Sequence, residues 1–300
     1  MNKVKYICTQ GFTYLCDIKP ECIAHNRMIY KTFNINNNYG DIIYLHSDTV
    51  TNFINDFLNK MTNPFIVLIG GNDFTFPDDY NNSNLLIQHD KVIKIYAQNS
   101  IINNDKVFNL PIGLDYHSLY FYNGTHEWSD KLSPLDPLIQ EQELIEIKNS
   151  FIDIKYTLPI AITNFHLAMD GPPRRSQFRK PIYNCLKNKE CIKWLEKQTR
   201  NKFWESMNLY TFVLCPFGNG LDTHRAWEVL CLGRIPIIQK SPLNNVYKNL
   251  PVIEIDDWSC INEEFLINKK NEIIDNINSN IYNFDILTIE YWEKLFNEYK

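Results

Sequence analysis

No apolar run in this 300-residue chain approaches the ~20 residues that span a bilayer. The start, Met1-Asn2-Lys3-Val4-Lys5-Tyr6-Ile7-Cys8, lacks the long apolar stretch and small-residue cleavage site of a signal peptide, and it reads directly into a strand over Lys3–Cys8. Eight cysteines occur (Cys8, Cys16, Cys22, Cys185, Cys191, Cys215, Cys231 and Cys260), but no two are separated by only two residues. A zinc ribbon or a thioredoxin-like pair is therefore not expected. Cys215 ends the run Phe212-Val213-Leu214-Cys215, where a thiol behaves as a small buried hydrophobe. Reduced thiols and a cytoplasmic location are the expectation. Positive charge is not in excess either. Thirty Lys plus Arg stand against 35 Asp plus Glu, a formal charge of −5, which argues against a chain built to coat nucleic acid. No internal repeat occurs, and no low-complexity tract beyond Asn-rich loops.

What is present is ordinary for a soluble globular chain. Hydrophobic residues make up 44% and charged residues 22%, enough for a sizeable core in one or two domains. Aromatics at 14% point to an interior of Phe, Tyr and Trp, some of it available to line a cleft for flat ligands. Continuous apolar runs at Asp41–His46, Phe65–Ile69, Val92–Tyr96 and Val107–Leu110 alternate with turns and with a helical pattern over Thr49–Met61. Such runs separated by helices predict parallel strands covered on both faces. Residues 123–137 are turn-rich, and a helix is expected over Leu138–Phe151. Strands follow at Leu158–Thr163, Tyr210–Cys215, Ile235–Ile238 and Val252–Ile255, with helices near 178–187, 200–207 and Asp222–Leu232. A last helix over Leu287–Tyr299 carries Tyr291, Trp292, Leu295, Phe296 and Tyr299 on one apolar stripe, which must pack on something large. The expected architecture is α/β, with two Rossmann-like halves facing a central cleft: residues 1–135, residues 136–285, and a terminal helix over 286–300 that crosses back to the first half.

The most informative segment runs from Phe212 to Leu230: strand, Gly218-Asn219-Gly220 turn, helix. Glycines there let the backbone turn tightly and approach a ligand. Asp222 is placed to cap the helix, leaving other first-turn amides pointing at an anion together with the positive end of the helix dipole. Arg225 in the first turn adds a bidentate cation, and Glu228 one turn later is placed to accept hydrogen bonds from ribose hydroxyls. His224 and Glu228 have the spacing of a metal pair, but no further His or carboxylate cluster completes a site in the sequence. No metal or cofactor is therefore expected. Arg174 and Arg175 open another helix after Pro172-Pro173 and are candidate phosphate ligands. Asp73 follows the run Phe65–Ile69 and a Gly-Gly turn, at a strand's carboxyl end where α/β ligands bind. It is the first candidate for a general base, with Asp48 and His46 next. Asn99 and Asp115 are candidates to line the cleft.

The segment just described, continued by Gly233-Arg234-Ile235-Pro236-Ile237-Ile238, resembles the nucleotide-sugar-binding core of exostosin-like glycosyltransferases (glycosyltransferase family 47 and its viral and eukaryotic relatives). The pattern is a strand ending in Pro-x-Gly, then His-Arg-x-x-Glu, then Gly-x-Ile-Pro-Ile. Ile66–Asp73, Tyr96–Asn99, Leu110–His117 and Ser133–Leu135 are also similar to such proteins, although the likeness is sharp only over 209–238. It implies a GT-B fold and a nucleotide sugar held by the second half at Gly218, Asn219, Gly220, Asp222, His224, Arg225, Glu228, Arg174 and Arg175. Asp73 and Arg225 would be catalytic, in an inverting, metal-independent transfer from a donor such as a UDP-sugar to a hydroxyl of a glycan or glycoprotein. The Asn- and Ile-rich composition adds a viral setting, host cytoplasm or virus factory, as an expectation.

Two rival readings remain. One is another Rossmann-type nucleotide-dependent enzyme, which would carry its glycine fingerprint after the first strand, where this chain has Thr9-Gln10-Gly11-Phe12 instead. The other is a catalytically inactive nucleotide- or glycan-binding module. Binding alone needs Arg225 and Glu228 as well.

Overall fold

The computed structural model describes residues 3–19, 22–24, 27–29, 36–121, 124–167 and 179–300. Arg174 and Arg175 lie outside them, so their expected role has no structural account here. Four of the apolar runs pair as a parallel sheet in sequence order: β1 (Asp41–His46), β2 (Phe65–Gly70), β3 (Val92–Ala97) and β4 (Val107–Asn109). A second parallel sheet contains β5 (Leu158–Thr163), β6 (Ile192–Trp194), β7 (Tyr210–Leu214), β8 (Ile235–Gln239) and β9 (Ile253–Ile255). Its order is β6-β5-β7-β8-β9. The direction of winding therefore reverses between β5 and β7, which leaves a crevice at their carboxyl ends.

Alternation along each strand builds three apolar layers. Ile42, Tyr44, Ile66 and Leu68 face inward and share one core with Val213 and Ile238 of the second half. Ile43, Leu45, Val67 and Ile69 face outward and meet Val50, Phe53 and Ile54 of α1 (Val50–Asp56). On the far side of the second sheet, Phe212, Leu214, Ile235 and Ile237 are covered by Leu266 and Ile273. Those two residues belong to α6 (Glu263–Asn278), whose N-cap Asn262 accepts the amide of Phe265.

The helices that frame the seam between the halves are α2 (Pro137–Asn149), α4 (Arg200–Ser206), α5 (His224–Cys231) and α7 (Ile289–Asn297), whereas α3 (Arg179–Leu186) buries Ile182 and Leu186 on the far side of the second sheet. Helix α7 buries Ile289, Trp292 and Phe296 against the first half. The Trp292 ring meets Phe12 edge-on at 5.7 Å, and Phe296 lies 4.9 Å from Tyr96 on β3. Each such buried ring contributes roughly 2–3 kcal/mol. The strand expected over Lys3–Cys8 is not continuous: Tyr6 bridges Thr288 and Cys8 bridges Leu114, each singly. The reason is that this segment threads between two elements. Ile7 donates its amide to Leu287 and accepts that of Leu114, while Lys5 accepts the amide of Ile289. Glu141 on α2 holds the amides of Lys5 and Tyr6 at 2.8–2.9 Å. Among the described residues, no helix is long and apolar enough to cross a membrane.

Candidate active site

A cleft of about 350 Å³ opens between the two halves. The ends of β5 and β7 form its floor, through Thr163, Asn164 and Phe165 on one side and Leu214, Cys215 and Pro216 on the other. It therefore coincides with the reversal in strand order. The structure brings Asp73, Gly218, Asn219, Asp222, His224, Arg225 and Glu228 to this one cleft.

Arg225 sits in the first turn of α5 with its guanidinium 3.9 Å from the centre of the Phe203 ring and its Nε 3.4 Å from Glu228 Oε2. A third of the side chain is exposed, and its Nη1 makes no hydrogen bond. Phe203 and Glu228 thus fix the guanidinium while leaving it donors to offer. Glu228 is buried beneath it, so its visible task is to hold Arg225.

A second cation that the sequence reading missed is Arg179, the first residue of α3. Its Nε donates to the carbonyl of Phe217 at 2.8 Å, and Nη1 reaches that of His166 at 3.3 Å. Burial, and then the charge of Arg225, lower its pKa to about 10. Two guanidiniums held this close repel each other, and an anion between them would remove the repulsion. The lone Arg in Phe178-Arg179-Lys180 carries no local signal, and only the fold brings it to Gly218.

The turn itself is strapped to the first half. Gly218 is not crowded: a Cβ there would meet Arg179 Nη2 at 3.7 Å and Thr223 Cγ2 at 3.8 Å, ordinary contact distances. Gly220, expected at the ligand, faces instead toward Asn99, where a Cβ would come within 2.8 Å of Nδ2. Asn99 itself has φ +52° and accepts the amide of Asp222, so it backs the loop and does not line the cleft. Asp222 is not the helix cap: Thr223 precedes the helix, which starts at His224. The buried Asp222 carboxylate accepts from the amides of Ile112 and Thr223, Trp227 Nε1 and the Tyr247 hydroxyl. Burial raises its pKa, partly countered by those donors. It joins the halves, and with four donors already satisfied it has little capacity for a ligand. Thr223 makes no side-chain cap, which leaves the first turn of α5 uncapped on that side, open to an anion.

The opposite wall belongs to the first half. Asp73 reaches the cleft after the Gly70-Gly71 turn, where Gly71 has φ +86° and a Cβ would strike the His46 ring. His46 is buried, with its Nδ1 accepting the amide of Asp48, and neither His46 nor Asp48 is among the cleft-lining residues. Asp115 does line it. Burial pushes the Asp115 carboxyl up, but His117, His224, the Ser118 amide and Arg200 together carry its pKa well below the usual range. His117 stands beside it, Nδ1 3.1 Å from Asp115 Oδ1, and burial holds this imidazole below its ordinary pKa against the pull of Asp115. The sequence reading left His224 without a cluster, whereas the fold places Asp115 and His117 next to it. Trp227 is fully buried and stacked on Tyr247 at 4.9 Å.

Two parallel-sheet halves, a cleft at the strand ends and a final helix that returns to the first half define an α/β architecture of the GT-B kind. Among solved structures, a trehalose-6-phosphate synthase, OtsA, aligns over 89% of this chain and 72% of its own, with a TM-score of 0.41 and 11% identity. That likeness is too distant to transfer a residue or a substrate. No protein-family model and no curated protein sequence matches the chain.

Proposed function

We propose that this protein is a glycosyltransferase that takes a sugar from a nucleoside diphosphate donor and passes it to a hydroxyl of a glycan or glycoprotein. The observation that carries this reading is the convergence of Arg225 and Arg179 on the glycine turn at the β5/β7 crevice. A diphosphate leaving group needs its growing charge neutralised, and preorganised donors are worth ~3–4 kcal/mol each in comparable sites. Arg225, Arg179 and the open first turn of α5 supply that charge and those N–H groups. Thr163, Asn164 and Phe165 line the same crevice at the end of β5. An acceptor hydroxyl must lose its proton on the facing wall, and Asp73 is the carboxylate we assign to that task. The motif likeness to exostosin-like enzymes favours inversion by a single displacement.

The test is a thermal-shift panel of nucleoside diphosphates and nucleotide sugars on the purified chain, followed by hydrolysis and transfer assays. A diphosphate should stabilise the wild type, and Arg225→Ala should abolish the shift in a protein that stays folded. An unchanged shift in Arg225→Ala overturns the phosphate assignment. Asp73→Asn should keep the shift and lose turnover; binding without turnover in the wild type would favour a binding module.

A further inference from the structure

Three side chains with metal-binding chemistry meet where the halves touch. Asp115 and His117 follow the first sheet, His224 opens α5 of the second, and their ligand atoms all lie within 4.8 Å of one another. The orientation of His224 is informative. Its Nδ1 is 2.7 Å from the carbonyl oxygen of Gly113. A carbonyl only accepts, so Nδ1 carries the proton and Nε2 keeps its lone pair. That arrangement, the far ring nitrogen tied to a backbone oxygen, is the one metal-bound histidines use. The Nδ1 of His117 is buried and makes no hydrogen bond despite its closeness to Asp115, an unmet polar atom that needs an explanation.

We propose that Asp115, His117 and His224 bind one divalent first-row transition ion of the zinc type, held by ligands from both halves. Two imidazoles and one carboxylate suit such an ion better than magnesium or calcium, which favour all-oxygen sites. A shell at ~2.0–2.2 Å requires the ligand atoms to draw together by on the order of 1 Å, a side-chain adjustment. Three protein ligands leave a coordination position open, and Asp115 and His224 both line the cleft, so that position serves a substrate oxygen or water. Asp73 adds negative charge near His117. Bound there, the ion staples the first half to the helix that carries Arg225. The site does not depend on the transferase reading, because its occupancy is measured without any sugar donor.

The experiment is titration of the chelator-treated, untagged full chain with Zn2+ and Co2+. One ion per chain is expected, with a visible Co2+ band from nitrogen ligation and a higher unfolding temperature with Zn2+. His224→Gln and Asp115→Ala should weaken uptake tenfold or more, while His89→Gln, remote from the cluster, should not. Zn2+ should also protect His117 and His224 from imidazole acylation, read by mass spectrometry on the wild type, which keeps the test valid should a variant fail to fold. No uptake, or uptake unchanged in folded His224→Gln and Asp115→Ala, overturns the proposal, as does equal acylation with and without Zn2+.

Discussion

Removing the Asp222 side chain separates a structural role from a binding role at the centre of the motif. In Asp222→Ala four donors lose their acceptor, with bonds of 2.8 Å from Ile112 N, Thr223 N and Trp227 Nε1 and of 2.5 Å from the Tyr247 hydroxyl. The Tyr247 hydroxyl can rotate, and Thr223 lies nearer solvent. Ile112 N–H and the indole N–H are fixed in the interior, each costing ~1–3 kcal/mol when left unmet. Against this, the variant no longer buries a carboxylate that burial already disfavours. The net loss comes to about 3 kcal/mol, or a urea midpoint lower by about 1 M at a slope of ~3 kcal/mol/M, the steep end of the small-protein range toward which longer chains tend. Asp222→Asn keeps an oxygen for the three donors on Oδ1 but turns an NH2 toward Ile112 N–H, so it should fall between wild type and Ala. Equilibrium urea unfolding followed by tryptophan fluorescence measures this directly, because Trp227 is one of the partners. An Ala variant with the wild-type midpoint, or an Asn variant less stable than Ala, would refute the reasoning.

Two further outcomes follow from the same structure. Gly113 has φ +68°, and a Cβ there would sit 2.3 Å from the Ile7 carbonyl oxygen; Gly113→Ala should therefore cost at least ~2 kcal/mol, while Gly233→Ala, with φ +73° and open space, should cost only the backbone strain of ~1 kcal/mol, a difference that paired thermal melts resolve. Burial holds His46 and His117 below their ordinary pKa of 6.5, so below that pH the unfolded chain binds more protons than the native one: stability is fully present above about pH 6.5 and is lost as pH falls, and a urea midpoint that stays level from pH 7 to 5 would contradict this.

The strands that place the cleft were readable because parallel strands buried on both faces leave continuous apolar runs. Phe65-Ile66-Val67-Leu68-Ile69 and Leu158-Pro159-Ile160-Ala161-Ile162-Thr163 needed no partner information to be seen. Helix α6 went unread although it is 16 residues long, because its apolar positions are diluted by Asn, Lys and Glu and the packing of Leu266 and Ile273 on the second sheet decides it. Arg225, Glu228 and Asp73 were legible from local spacing beside glycine turns. Arg179, the meeting of Asp115 and His117 with His224, and the inward turn of Asp222 were not, since each depends on a neighbour brought from the other half or from a distant strand. A carboxylate after a glycine turn reads as a cap or a ligand; that Tyr247 and Ile112 already occupy it is tertiary information.

Helix α7 lays Trp292 and Phe296 on Phe12 and Tyr96, so part of the inner face of the first sheet is roofed by residues translated long after its last strand. A ribosome that has released only the first 150 residues has exposed all four strands of that sheet without their lid. The early half then waits, with aromatic surface open to chaperones, until α7 emerges and seals it.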